Sequence, residues 1–234
     1  MKTVLVVGFY EVAHELRMKE LNRALRKNLE NPLIQKVVLV QEDDPVFRDA
    51  DHALHMINSK VKVHKLMRRG TFADFFSIAA EQSSPGDRVI VANADVWFDD
   101  TLGLLTPDLF VAPPDRASKN ARPRVMAISR HWPQPDGTLK LEPTAPISQD
   151  AWMWIAPGPS GAEYAFHAGA LGCDNKLVHL FRAQGFDVRN PSYSVHVIHE
   201  HGSRFVNYLP TVPGPHPTIV PCQIEDMPKC QPNA

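Results

Sequence analysis

Residues 84–95 read Ser84-Pro85-Gly86-Asp87-Arg88-Val89-Ile90-Val91-Ala92-Asn93-Ala94-Asp95. Four turn-forming residues are followed by a run that is apolar at every position from Val89 to Ala92, and the run stops abruptly at an amide and a carboxylate. A strand that is apolar at every second residue has one wet face; one that is apolar throughout is buried on both. The same signature occurs twice upstream, at Val4-Leu5-Val6-Val7 and Val37-Val38-Leu39-Val40. Between the runs lie helical stretches. Met18, Leu21, Leu25 and Leu29 share one face of a helix expected over 13–29, which Asn31-Pro32 stops. A short strand at 61–66 and a helix at 71–82 complete the first half. Apolar runs alternating with helices imply a mostly parallel, Rossmann-type sheet with helices on both faces, an α/β fold. Ligands of such sheets sit at the carboxyl ends of the strands, so the residues after each run matter most.

The second half is less regular. It offers a strand at 124–129, a helix over 173–184 that ends at Gly185, and Pro-rich connections. From Leu209 onward seven prolines fall in 26 residues, too many for a helix or a central strand, so this tail is expected either to wrap the body or to be disordered. The expected organisation is one domain over 1–208 and a Pro-rich tail over 209–234.

With 25 Lys+Arg against 26 Asp+Glu the formal charge is -1, which argues against a general nucleic-acid binder. The 234 residues suffice to bury a large core without metal or disulfide staples. Cys173, Cys222 and Cys230 are an odd number at no zinc-like spacing, so a reducing, cytoplasmic location is expected. The N-terminal apolar run reads as a strand and not as a targeting signal. No stretch reaches the roughly 20 apolar residues of a membrane span, so any membrane contact is expected to be peripheral or through a partner.

Three places could carry chemistry. Asp95 lies just past a buried strand, where a carboxylate is costly unless water, a partner or a metal meets it; as a plain turn former it would do no more than close the strand. Asp99-Asp100 reads as a cap for a short helical stretch at 101–105. Asp174, in Gly172-Cys173-Asp174-Asn175, stands at the start of a helix, as an N-cap or as a general base aimed into a cleft. His196, His199 and His201 fall within six residues; on a strand His199 and His201 share a face and His196 does not, which raises a metal hypothesis with Mn²⁺ or Mg²⁺ if carboxylates take part.

In this order, Asn93-Ala94-Asp95, then Cys173-Asp174-Asn175-Lys176-Leu177 through Gly185, then Val197-Ile198-His199-Glu200-His201-Gly202-Ser203, the chain resembles the inverting, nucleotide-sugar-dependent glycosyltransferases of the GT-A fold from its first strand to about Tyr208. The resemblance implies a DxD-type motif at Asn93 and Asp95, with Asp95 holding a divalent cation (Mn²⁺ or Mg²⁺) that bridges the nucleotide diphosphate. It makes His199 a further metal ligand and Asp174 the base that activates the acceptor hydroxyl. It places Arg69, Thr71 and Asp74 at the nucleotide and Glu42 at its base or ribose. Ser148-Gln149-Asp150-Ala151-Trp152 corresponds to the acceptor-facing loop, with Asp150 as a second candidate base and Trp152 either stacked on a sugar or in the core. The donor implied is a nucleotide-diphosphate sugar, a UDP-sugar first, and the acceptor a carbohydrate or glycolipid. The chain departs from the family at Asn93, which adds no negative charge, and at Cys173, where the family has an acidic residue.

Two other functions fit the same residues. One is a metal-dependent hydrolase built on His196, His199 and His201; the other is a relative that binds a nucleotide sugar or carbohydrate without turnover.

Overall fold

The computed structural model describes the chain except residues 11, 13, 43–57, 116–117, 200–201, 203–208 and 230–234. Strand β1 (Thr3–Phe9) leads into helix α1 (Glu15–Glu30), followed by β2 (Lys36–Gln41), β3 (Val61–Lys65), α2 (Phe72–Gln82) and β4 (Arg88–Ala92). Next come β5 (Val96–Phe98), β6 (Val111–Ala112), β7 (Arg122–Ile128), β8 (Arg130–Pro133), β9 (Leu139–Leu141) and β10 (Ala151–Ile155). Helix α3 (Cys173–Ala183), β11 (Asp187–Arg189) and β12 (Val197–His199) complete the elements.

The main sheet runs β11-β7-β10-β4-β1-β2-β3, with β6 beside β7. The strands β1, β2, β3 and β4 are mutually parallel, as the unbroken apolar runs predict, while β10 enters antiparallel between β4 and β7. Alternation along β1 divides the core. Val4 and Val6 pack with Phe72, Phe76, Trp152 and Phe181 on one face; Leu5 and Val7 pack with Leu25, Leu29, Ile90 and Met153 on the other. Trp152 is 1% exposed and meets Phe72 edge-on at 5.1 Å, so of its two expected roles the core is the one observed, and a sugar cannot reach it.

The chain leaves β1 for β2 and β3 on one side and returns to β4 on the other, which makes the carboxyl edge of β1 and β4 the topological switch point. After β4 the chain passes through Asn93, Ala94 and Asp95 and enters β5, which belongs to a second sheet, β5-β12-β8-β9. Ser129 alone separates β7 from β8, so the β4–β5 and β7–β8 links between the sheets are short. Asp99 caps the 3-10 turn Asp100–Leu104 by accepting from the Thr101 N–H, as expected.

The Pro-rich segment wraps the body over its described residues. Leu209 bridges to Ala170 and Pro221 to Asn190. The Asn175 side chain donates to the Pro217 carbonyl at 2.8 Å, and Arg124 to the Pro228 carbonyl at 2.8 Å. Val212 and Ile219 join one core, Ile224 and Met227 the other. Prolines suit this path because an extended strap leaves few N–H groups to satisfy. Burial of that kind makes Ile219→Ala and Met227→Ala each destabilising by about 2–4 kcal/mol in urea unfolding. Val220→Ala, at a side chain 71% exposed, should change stability by less than about 0.5 kcal/mol.

Candidate active site

Asp95 is 6% exposed and its carboxylate is matched from two elements. Arg17, in the first turn of α1, donates Nη2–H to Asp95 Oδ2 at 2.5 Å, and His199 Nε2 lies 2.9 Å from the same oxygen. The antiparallel register β5–β12 sets His199 opposite Val96, which delivers the imidazole to Asp95. Burial opposes the charge, yet His199 and Arg17 outweigh it and hold the Asp95 carboxyl far below the ordinary range. Arg17 also pairs with Glu20 at 3.1 Å and hydrogen-bonds Tyr10, whose hydroxyl burial pushes up. Trp132 stands edge-on to the His199 ring at 4.8 Å.

A second group lies at the end of β4. The β4–β10 register pairs Ala92 with Ala151, so Asn93 and Asp150 stand side by side just beyond it. The Asn93 N–H donates to the Asp150 carbonyl at 2.9 Å, and its amide Nδ2 donates to Asp150 Oδ1 at 2.8 Å. Arg130 Nη1 donates to both Asp150 oxygens at 3.2 Å, and Arg130 Nε donates to Glu142 at 3.1 Å. Arg130 also lies over the Trp132 ring, 5.2 Å from its centroid, which links the two groups.

Asp174 is in the first turn of α3, but the N-cap is Gly172, at φ 77. A side chain at that position would strain the backbone, and its Cβ would stand 2.9 Å from the His216 ring of the C-terminal arm. With capping left to Gly172, the Asp174 carboxylate turns to the Cys173 thiol, which donates to Oδ1 at 3.2 Å, and to the Gln149 N–H. Burial first and the neighbouring Asp150 second push the Asp174 carboxyl up to about 7, against the smaller pull of these donors and of Arg130. Burial likewise keeps the Cys173 thiol protonated, hence a donor.

The remaining expected residues lie at the ends of β2 and β3. Glu42 Oε1 accepts from the Gly70 N–H at 2.9 Å, and Arg69 Nη2 donates to the Ala168 carbonyl at 3.0 Å. Thr71 and Asp74 form a capping box at the start of α2, and Arg68 binds the Asp74 carboxylate, which lies at about 2. Their side chains therefore fix the loop that presents Arg69 and Gly70. His196 turns to Asp99 at 2.8 Å, away from His199, and His201 lies outside the described residues.

A divalent ion would find an oxygen and a nitrogen donor converging at Asp95 and His199, the mixed set that suits a borderline ion such as Mn²⁺. To act as ligands the two would have to give up the bond between them, beside an Arg17 cation that holds the same Asp95 oxygen, and nucleotide phosphates would have to complete the set. Among the described residues no group of three or more His, Cys, Asp and Glu side chains is placed to hold an ion. Sequence reasoning missed Arg17 and Arg130. Each sits near the start of an ordinary element, and nothing in the local pattern distinguishes either from a solvated arginine.

The sequence matches no protein-family model and no curated protein. Among solved structures the chain is similar to the mannosyltransferase PcManGT from Pyrobaculum calidifontis, in complex with GDP-Man and Mn²⁺, at a TM-score of 0.50 and 11% identity over 87% of this chain. The protein has a GT-A-type fold. It spans 58% of that mannosyltransferase's length. It is also similar to GalNAc-T7 with UDP, GalNAc and Mn²⁺ (TM-score 0.48, 14% identity, 85% of this chain and 43% of that one). A third is S. aureus TarS 1-349 with UDP-GlcNAc (TM-score 0.45, 12% identity, 92% and 60%). The fold assignment rests on the first, and identities this low speak for the fold alone. No helix among the described residues is long and apolar enough to cross a membrane.

The raised Asp174 carboxyl has a consequence for stability. Its ordinary value is 3.8 and its folded value about 7, so between these pH values the native state holds a proton that the unfolded state has lost, and stability falls as pH rises. Asp174→Asn should therefore be more stable than the parent at pH 8, by up to about 4 kcal/mol from about three pH units. The difference should shrink toward zero near pH 4, as read by urea unfolding at both values.

Proposed function

We propose that the protein is a glycosyltransferase that moves a sugar from a nucleotide-diphosphate donor to an acceptor hydroxyl with inversion, using Asp174 as general base. The observation that carries this reading is a carboxyl poised at about 7, at the start of α3 and beside the carboxyl edge of a GT-A-type sheet. A base of that strength can take a proton from an alcohol as its C–O bond forms, and needs no other group to ionise it at neutral pH.

Asp150 is the weaker candidate for this role. It is 1% exposed, and both its oxygens accept bonds from Arg130, one of them also from Asn93. Asp174, a half-buried residue, accepts instead from the weakly donating Cys173 thiol and the Gln149 N–H. In the proposed reaction the acceptor oxygen attacks the anomeric carbon, Asp174 takes its proton, and the bond to the nucleoside diphosphate breaks on the opposite face. Glu42 and Arg69, at the ends of β2 and β3, would meet the nucleoside, with Thr71 and Asp74 holding their loop. Asp95 and His199 would hold a Mn²⁺ or Mg²⁺ ion, which when bound offsets charge on the departing diphosphate. Acceptors are carbohydrate or glycolipid hydroxyls. The likeness to a mannosyltransferase solved with GDP-Man and Mn²⁺ supports trying GDP beside the UDP that the resemblance to the GT-A glycosyltransferases implies.

Calorimetric titration of UDP and GDP into the metal-stripped protein, with and without Mn²⁺, tests the donor site. Binding should require Mn²⁺ and be lost in Asp95→Ala and His199→Ala; binding of neither nucleotide under any condition would sink the reading. For the chemical step, Asp174→Asn should lower transfer by at least about 100-fold with nucleotide affinity unchanged. A wild-type protein that binds nucleotide and turns over no donor would instead be the non-catalytic relative.

A further inference from the structure

Asp95 already has a cation, and the chain itself supplies it. Arg17 Nη2 donates to Asp95 Oδ2 at 2.5 Å, Nη1 donates to Glu20 Oε2 at 3.1 Å, and a further bond joins the guanidinium to Tyr10. The three charged side chains are shielded from water, those of Arg17, Asp95 and Glu20 being 11%, 9% and 12% exposed. The group is held from both sides. On the helix side the His14 ring accepts the Arg17 N–H at 3.3 Å and caps α1. On the sheet side Tyr10 directly follows β1 and Asp95 closely follows β4, the two strands at the switch point, where ligands of such sheets bind.

One carboxylate oxygen cannot serve two cations equally. A divalent ion held by Asp95 and His199 has to approach an oxygen that Arg17 already holds, and His199 Nε2 is spent on that oxygen too, at 2.9 Å. Away from water the guanidinium and the ion would repel each other with little screening. Of the two carboxylates bonded to Arg17, neither brings charge beyond what the guanidinium already offsets in part. A nucleoside diphosphate would bring it.

We propose that Arg17 is the resident counter-ion of the Asp95 site, which bars a free divalent ion and admits one only together with a nucleoside diphosphate, whose negative charge offsets both cations. The inference rests on the proposed donor site and deepens it, by assigning to Arg17 the dependence of ion binding on nucleotide. It makes Arg17 a positioning residue that acts through Asp95. The dependence is reciprocal, so the nucleotide is tightened by the ion as much as the ion by the nucleotide.

The test follows the EPR signal of free Mn²⁺ as the ion is titrated into the metal-stripped full chain without nucleotide. Wild type should bind weakly and Arg17→Gln about 10-fold or more tightly. Arg17→Lys, which keeps a cation, should bind as weakly as wild type, a rescue that a merely structural role would not tie to charge. The gain should disappear when Asp95→Asn is added to Arg17→Gln. Equal affinity in wild type and Arg17→Gln, no binding by either, or a gain that survives Asp95→Asn would each overturn the proposal. GDP or UDP should then tighten Mn²⁺ less in Arg17→Gln than in wild type. Should Arg17→Gln fail to fold, the Arg17 side-chain Nε–H resonance of the wild type decides, assigned by its loss in Arg17→Lys. Mg²⁺ alone should leave it in place, and a shift with Mg²⁺ alone would overturn the proposal. The Mn²⁺ titration uses no nucleotide, so the two readings fail separately. A gain in Arg17→Gln while no nucleotide binds would sink the transferase reading and keep Arg17 as the bar to free ion; nucleotide-dependent Mn²⁺ binding with equal affinities for the free ion would do the reverse.

Discussion

A carboxylate buried at the edge of a sheet has to be matched, and the matching of Asp95 holds much of this molecule in place. Arg17 comes from the helix that follows β1, His199 from the last strand of the second sheet, and both converge on one oxygen. Removing one partner of such a group strands the other charge away from water, a cost of about 3–5 kcal/mol in comparable buried pairs. The second sheet is thereby locked to the first helix across the switch point. Glu20 extends the lock by pairing with Arg17 and accepting the Gly202 N–H.

The same edge organises the opposing carboxyls. Because β10 enters antiparallel beside β4, the residue before β10 stands against the residue after β4, and Asp150 meets Asn93. Asp174 arrives from a different part of the chain, carried on α3, whose start is braced by the C-terminal arm through Asn175 and His216. Two carboxyls, one pinned by cation and amide and the other lodged among weak donors, acquire unlike environments. Such divergence is what separates an acid–base group from its neighbours.

The parallel sheet was legible because runs such as Val89 to Ala92 and Val37 to Val40 have no polar face, and only a doubly covered strand tolerates that. The helix around Leu21 and Leu25 and the one opened by Cys173 were legible from period and stop signals. The antiparallel insertion of β10 was not: Ala151 to Ile155 is apolar throughout and carries no mark of direction. Trp152 illustrates the same gap, since an aromatic suits a sugar or a core equally until burial is known. The arm beyond Leu209 could be read as lacking helix and central strand, but its wrapping path depends on apolar pockets supplied by distant residues.

The sequence by itself determined the kind of sheet, the helices that cover it, and the presence of acidic residues where its strands and α3 begin or end, because those follow from local periodicity and chain punctuation. Tertiary structure alone decided what each acidic residue became. Asp95 became a matched ion, Asp150 a carboxyl pinned by Arg130 and Asn93, and Asp174 a carboxyl whose ionisation burial opposes, because the chemistry of a carboxyl depends on burial and on neighbours far away along the chain, which no local pattern records.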